Sequence, residues 1–462
     1  MSSRFLCVVG AAIVRALNLC LPGLKVKVFV QRLNEYDVRV TDSGPAGQHT
    51  VRRHNCALVL DAIASSPGVS RAEVAARTGL TKATVSTLVD RLVTASLVRE
   101  EGRQHRSGPG RRGTSLSLSP DGPCGLGVEI GVDYLATCVV GLTGEVHAEH
   151  VRRFDNRDRP PSRVLARAAR ELDRALADTA RRRLTVGGVG VAVPGLVETS
   201  SGRVIDAPNL GWQDVDLATD LREHLPTLPG DLMIGNEANL AAVAELEALR
   251  HRDEDTPDSF VYVSAEIGIG AGIVLDGALF DGSHGLGGEL GHFPVQPRGP
   301  RCSCGARGCL ERLAGQDAIL ERAGAADVDT LVTRLDAAER PAITAVRSAG
   351  RMLGSALSAV VNLLDVTTIV LGGTYARLHP WLVDPLTAEL TDRLMGSPWR
   401  SVEVRRSVLG AEAAVRGAAT SALRTVLTDP DTYIARRVQA EDRTTNSVGS
   451  RIDGGSGSSP AS

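Results

Sequence analysis

The chain has 462 residues, too many for one ordinary compact domain, so two or three are expected. Hydrophobic residues at 43% and charged residues at 23% give the balance of a globular chain with apolar cores, which excludes a fibrous or wholly disordered protein. The formal net charge of −2 excludes a uniformly basic nucleic-acid coat, yet the charge is unevenly placed. Residues 51–120 hold eleven Arg and Lys against five Asp and Glu, a net +6; residues 1–50 carry +3 and everything after Pro120 carries −11. A basic head on an acidic body suits a protein that meets phosphates with one end only.

Residues 1–50 show no clear periodicity and end in the polar stretch Thr41–Thr50. Arg15 breaks the apolar run from Phe5 to Leu21, which leaves nothing long enough to span a membrane. No clean small-residue cleavage site follows it to mark a signal peptide. We read residues 1–50 as an unstructured or mis-assigned extension, with residues 1–39 non-native and translation starting near Val40. The expected location is cytoplasmic, with no membrane partner.

Residues 51–120 are dense in helical pattern. Ser70-Arg-Ala-Glu73 is a capping box that opens a helix ending at Thr78, with Val74 and Ala75 inward. Gly79 permits a left-handed turn, Leu80 plugs the angle between helices and Thr81 caps the next helix, Lys82–Ala95. That helix puts Val85, Leu88, Val89 and Leu92 on one face and Lys82, Thr84, Ser86 and Thr87 on the other, the latter suited to base edges and phosphates. Residues 97–101 and 114–118 form two short strands around a Gly- and Arg-rich loop. This is a wing whose Arg111 and Arg112 can enter a minor groove or hold phosphate. The head is therefore read as a winged helix-turn-helix, helices plus wing, that binds double-stranded DNA.

From Cys124 to about Pro430, apolar Gly-bounded strands alternate with helices, the pattern of an α/β fold. Val186–Val193, Phe260–Val263 and Thr368–Leu371 read as strands; Leu165–Ala180, Glu237–Arg250 and Ile343–Leu364 read as helices. Gly-rich strand turns near residues 127–131 and 268–272 leave room for two similar lobes. Residues 431–462 turn polar and Gly/Ser-rich and are read as a disordered tail.

His292, Cys302, Cys304 and Cys309 form H-x9-C-x-C-x4-C. Thiolates and an imidazole are the ligands tetrahedral Zn²⁺ prefers, and four protein ligands leave no open position, so the expected zinc is structural. Three cysteines this close read as metal binding in a reducing compartment. Cys7, Cys20, Cys56, Cys124 and Cys138 carry no motif.

Several segments resemble the ROK family of repressors, open reading frames and kinases. They are Val191-Ala-Val-Pro-Gly-Leu196, Ala207-Pro-Asn-Leu-Gly-Trp212, Asn236-Glu-Ala-Asn239, Gly288-Glu-Leu-Gly-His292 and Cys302–Glu311. The resemblance runs from about His54 to Pro430. It implies an actin-like, sugar-kinase-like (ribonuclease H-like) two-lobed domain, a homodimer or homotetramer, and a sugar pocket between the lobes. The sugar ligands it implies are Asn209, Asn236, Glu237, Glu289, His292 and Glu311, a set of acceptors and amides that offset desolvation of hydroxyls with hydrogen bonds.

Kinases of that family carry Asp-x-Gly-x-Thr-Lys as a phosphate loop; here the chain reads Glu129-Ile-Gly131-Val-Asp133-Tyr134, without the Thr and Lys. Their second phosphate loop is rich in Gly and Thr, whereas this one is Glu266-Ile-Gly-Ile-Gly-Ala-Gly272. Their general-base Asp matches Glu237, one methylene longer, and near-attack geometry tolerates little displacement. The expectation is a non-enzyme that has lost its ATP site: a sugar-responsive regulator, a repressor of carbohydrate genes, whose dimer meets a pseudo-palindromic operator. Two alternatives are a hexose kinase carrying a DNA-binding head and a regulator that reads a partner protein instead of a sugar.

Overall fold

The computed structural model describes residues 48–102, 114–250, 256–396 and 399–439. The head is three helices, α1 (Gln48–Ala64), α2 (Arg71–Thr78) and α3 (Lys82–Thr94), with a sheet of β1 (Val69–Ser70), β2 (Val98–Glu101) and β3 (Ser115–Leu118) in the order β1-β3-β2. Both arms of the capping box are present: Ser70 Oγ accepts from Glu73 N and Glu73 Oε2 accepts from Ser70 N at 2.8 Å. Gly79 sits at φ 71°, the left-handed C-cap foreseen, and Thr81 Oγ1 accepts from Thr84 N at 3.1 Å. Val74, Val85, Leu88, Val89 and Leu92 close the head's core against Cys56, Val59, Leu60 and Ile63 of α1.

The body is built from two five-stranded sheets of one topology. The first comprises β4 (Cys124–Ile130), β5 (Tyr134–Gly141), β6 (Val146–Arg153), β7 (Val186–Val193) and β11 (Asp231–Asn236), in the order β11-β7-β4-β5-β6. The second comprises β12 (Phe260–Ala265), β13 (Ile269–Leu275), β14 (Ala278–Phe280), β15 (Thr368–Gly372) and β16 (Glu403–Arg406), in the order β14-β13-β12-β15-β16. Each is a three-stranded antiparallel meander extended by two parallel strands on its first strand, which is the duplication left open by the sequence. Strands β4, β7, β12 and β15 are buried along nearly their whole length, so they read as continuous apolar runs rather than alternating ones. A small antiparallel sheet, β8 (Leu196–Glu198), β9 (Arg203–Ala207) and β10 (Trp212–Val215), is appended to the first lobe.

Helix α4 (Pro161–Arg181) covers one side of the first sheet, and α5 (Leu217–His224) packs on α4 and β9. Helix α6 (Glu237–Arg250) and the last long helix, α12 (Ala413–Thr428), pack against each other and against strands of the lobes. Short helices α7 (Glu311–Ala314), α8 (Gln316–Ala323) and α9 (Val328–Asp336) lead into α10 (Arg340–Leu364) and α11 (Gly373–Arg393), which form the second lobe's core with β12 and β15. Among the described residues, no helix is long and apolar enough to cross a membrane.

Two boundaries differ from the expected ones. Helix α1 begins at Gln48 rather than after residue 50. Part of the expected tail at 431–462 is ordered: residues 430–439 are helical and Asp431 is buried against Arg52 and Arg91. A polar composition concealed this segment because it is held by ion pairs and by only two apolar side chains, Tyr433 and Ile434, packed on the head's core. Residues 1–47 and 440–462 lie outside the described residues.

Candidate functional site

The β4–β5 turn and the β12–β13 turn face each other across a cleft open to solvent. All six expected sugar ligands line it: Asn209, Asn236, Glu237, Glu289, His292 and Glu311. Asn209 comes from the turn between β9 and β10, Asn236 ends β11 and Glu237 opens α6. Glu289 and His292 bracket a single 3₁₀ turn, and Glu311 opens α7.

Asn236 has a second duty. Its Oδ1 accepts from Ala238 N at 2.9 Å and Asn239 N at 3.1 Å, capping α6, while Nδ2 donates to Gly195 O at 3.0 Å and to Glu237 Oε2 at 3.2 Å. Both amide protons and both acceptor sites are thereby engaged within the protein. Gly268 is the floor between two other ligands: a Cβ there would lie 2.5 Å from Glu311 Oε2 and 2.8 Å from Asn209 Nδ2.

The far end of the cleft is acidic. Glu129 is 3% exposed, receives a hydrogen bond from Tyr134 Oη, and burial pushes its carboxyl up to about 7. Glu266 is pushed up to about 8, first by burial and then by Glu129 and Asp133. Glu237, half-buried and lining the cleft, rises well above the carboxylate range through burial and through Glu129, Glu289 and Glu266. Glu289 is raised too, mainly by burial. Among the described residues, no Lys or Arg lines this cleft. The sequence marked Glu129, Tyr134 and Glu266 as departures from a phosphate loop, but did not reveal that Tyr134 donates to Glu129.

His292, Cys302, Cys304 and Cys309 bring one ligand atom each to within 4.8 Å of one another. Cys302 Sγ lies 3.7 Å from His292 Nδ1, and Cys304 Sγ lies 3.7 Å from Cys309 Sγ. A tetrahedron with metal–sulfur bonds of about 2.3 Å has edges of about 3.7 Å, so the donor set fits a four-coordinate metal. His292 Nε2 points the other way, 3.9 Å from Glu289 Oε2, and Glu311 Oε1 lies 3.9 Å from Cys302 Sγ. The cluster thus abuts the cleft through two of its expected ligands.

On the head, Lys82 and Thr87 are exposed at the free face of α3. Thr84 is half-buried with Oγ1 2.8 Å from Thr81 Oγ1, so it belongs to the cap. Ser86 accepts from Arg71 Nη1 at 2.7 Å, and Arg71 also donates to Asp90 at 2.6 Å and Glu100 at 2.7 Å. This Arg71 hub is not legible in the sequence, since its partners lie on two other elements, α3 and β2. Arg111 and Arg112 lie outside the described residues.

Comparison with known proteins bears on both parts. The ROK family profile matches residues 125–425 and the MarR family profile matches residues 52–107. The xylose repressor of Bacillus subtilis (strain 168) is 28% identical over 376 residues, 80% of this chain and 95% of that protein. The putative xylose repressor of Caldicellulosiruptor sp. (strain Rt8B.4) is 30% identical over 407 residues, 83% of this chain and 99% of its own length. A solved ROK family transcriptional regulator, a homolog of the E. coli MLC protein, superposes with a TM-score of 0.71 at 25% identity, covering 84% of this chain and 99% of its own. With a two-lobed body matched over most of its length and a MarR-type head in front of it, the chain belongs to the ROK family.

Proposed function

We propose that this protein is a sugar-responsive DNA-binding repressor of carbohydrate genes that has kept the sugar pocket of its family and given up ATP. The observation that carries the reading is one chain joining a winged helix-turn-helix head to a cleft lined by Asn209, Glu237, Glu289, His292 and Glu311. Asn236 serves that pocket by aiming Glu237 and capping α6 rather than by holding the sugar. Loss of ATP rests on missing donors: Glu129, Asp133 and Glu266 stand where a triphosphate would need cations, Asp133 is paired with Arg153 at 3.0 Å, and Tyr134 is bonded to Glu129.

His292, Cys302, Cys304 and Cys309 would hold Zn²⁺, which supplies a cross-link and no open coordination position. Held through Nδ1, the imidazole of His292 keeps Nε2 for the sugar side, and the residue after each ligand is fixed with it. Lys82 and Thr87 with the wing arginines Arg111 and Arg112 would meet DNA, Thr84 and Ser86 holding the recognition helix in shape. A dimer, or a tetramer built from dimers, would bind a pseudo-palindromic site. Titration calorimetry of the zinc-loaded protein with sugars and then ATP tests the reading: sugar binding without ATP is expected, and ADP release with a hexose would restore the kinase alternative.

A further inference from the structure

Helix α12 lies directly on the first lobe. A Cβ at Gly125, Gly127 or Gly190 would collide with the carbonyls of Ala419, Val415 and Ala418, and one at Gly417 with the carbonyl of Leu240 on α6. Backbone therefore meets backbone along β4 and β7, the strands that lead to the cleft, and along the helix that begins with Glu237. The other end of α12 enters the head: Leu423 and Val426 are buried in the head's core, with Leu427, Tyr433 and Ile434 packed on it.

Past α12 the chain grips the head's helices with charge. Asp431, 3% exposed, holds Arg52 Nε of α1 at 3.0 Å with Oδ2 and faces Arg91 Nη1 of α3 at 2.7 Å with Oδ1. Asp429 pairs with Arg53 of α1, and Arg437 Nη1 donates to Ala95 O, the C-cap of α3, at 3.0 Å. Arg91 and Ala95, at the two ends of α3's last turn, are thus both tied to the segment after α12, and a buried carboxylate between two arginines is costly to leave half-paired.

We infer that Asp431 is a positioning residue for DNA reading: it sets the angle of α3 against α12, so that head and first lobe move as one body. This rests on the DNA-binding reading above. The test compares wild type, Asp431→Asn and Asp431→Glu for affinity to a duplex enriched from a random pool by the wild type, across salt, beside thermal melting and calorimetry with d-xylose, d-glucose and N-acetylglucosamine.

Asp431→Asn is expected to weaken duplex binding about tenfold or more with an unchanged salt slope, because no phosphate contact is lost. Sugar affinities should stay within about twofold, and Asp431→Glu should recover most of the loss. Asn binding the duplex within about twofold of wild type, or a salt slope that falls by a whole phosphate contact, overturns the assignment. Should Asp431→Asn fail to fold, Arg52→Gln removes one arm of the pair and is judged by the same outcomes. If wild type enriches no duplex, the DNA reading fails by itself. Hydrogen exchange of residues 91–95 then decides the latch: about tenfold faster in Asp431→Asn supports it and unchanged exchange overturns it.

Discussion

Nε2 of His292 lies 3.9 Å from Oε2 of Glu289, while the ring's Nδ1 faces Cys302 Sγ at 3.7 Å. One imidazole therefore joins the thiol cluster to the sugar cleft, so removing the metal should reach the sugar. Zinc stripped with a chelator, or lost through Cys309→Ser, is expected to weaken sugar binding about 10–100-fold. Calorimetry before and after zinc is returned checks this, with recovery expected for the stripped wild type and none for the variant.

Gly268 separates Asn209 from Glu311 with no room for a methyl group. Gly268→Ala should lower sugar affinity about fivefold by pushing one ligand aside, since each lost hydrogen bond to a buried hydroxyl is worth about 1 kcal/mol. The φ of Gly268 is not in the left-handed region, so the fold should tolerate the change. Sugar calorimetry beside a melting curve separates the two effects.

The acidic end of the cleft makes a prediction about pH. Folded Glu266 keeps its proton up to about 8, whereas in the unfolded chain it is released in the usual carboxylate range. The folded state thus binds more protons across that interval. The stability this proton contributes is full below the unfolded value and is lost as pH rises towards 8. Glu266→Gln needs no proton, so it should flatten the decline and be more stable than wild type at pH 8 by about 1 kcal/mol or more. Denaturant unfolding at pH 5 and pH 8 measures the difference.

Elements whose cause is local were legible in the sequence. The Ser70–Glu73 box, Gly79 and Thr81 placed α2 and α3 within a residue, and β7 with α6 came out at their observed ends. The pocket was reached through resemblance, because its ligands come from four places in the chain that no periodicity connects. What stayed hidden depended on distant partners. Ser86 looked free until Arg71 was placed beside it, Asn236 showed nothing of its bonds to Gly195, Glu237 and the start of α6, and residues 431–439 looked like tail until Asp431 met Arg52 and Arg91.

On the head, Lys82 and Ser86 should behave differently. Lys82→Ala is expected to weaken binding about equally for all duplexes and to reduce the salt slope by about 1, the signature of a lost phosphate contact. Ser86→Ala removes a partner of Arg71 and should instead cost the head about 1 kcal/mol of stability with little change in salt slope. Fluorescence anisotropy across salt, with head unfolding followed in parallel, distinguishes the two.

The most direct measurement is duplex affinity of the zinc-loaded protein, titrated with a panel of pentoses, hexoses and N-acetylhexosamines. At least one sugar is expected to shift the dissociation constant about fivefold or more, corresponding to a coupling of about 1–3 kcal/mol. A folded, metal-loaded protein whose duplex affinity moves with none of them would contradict it.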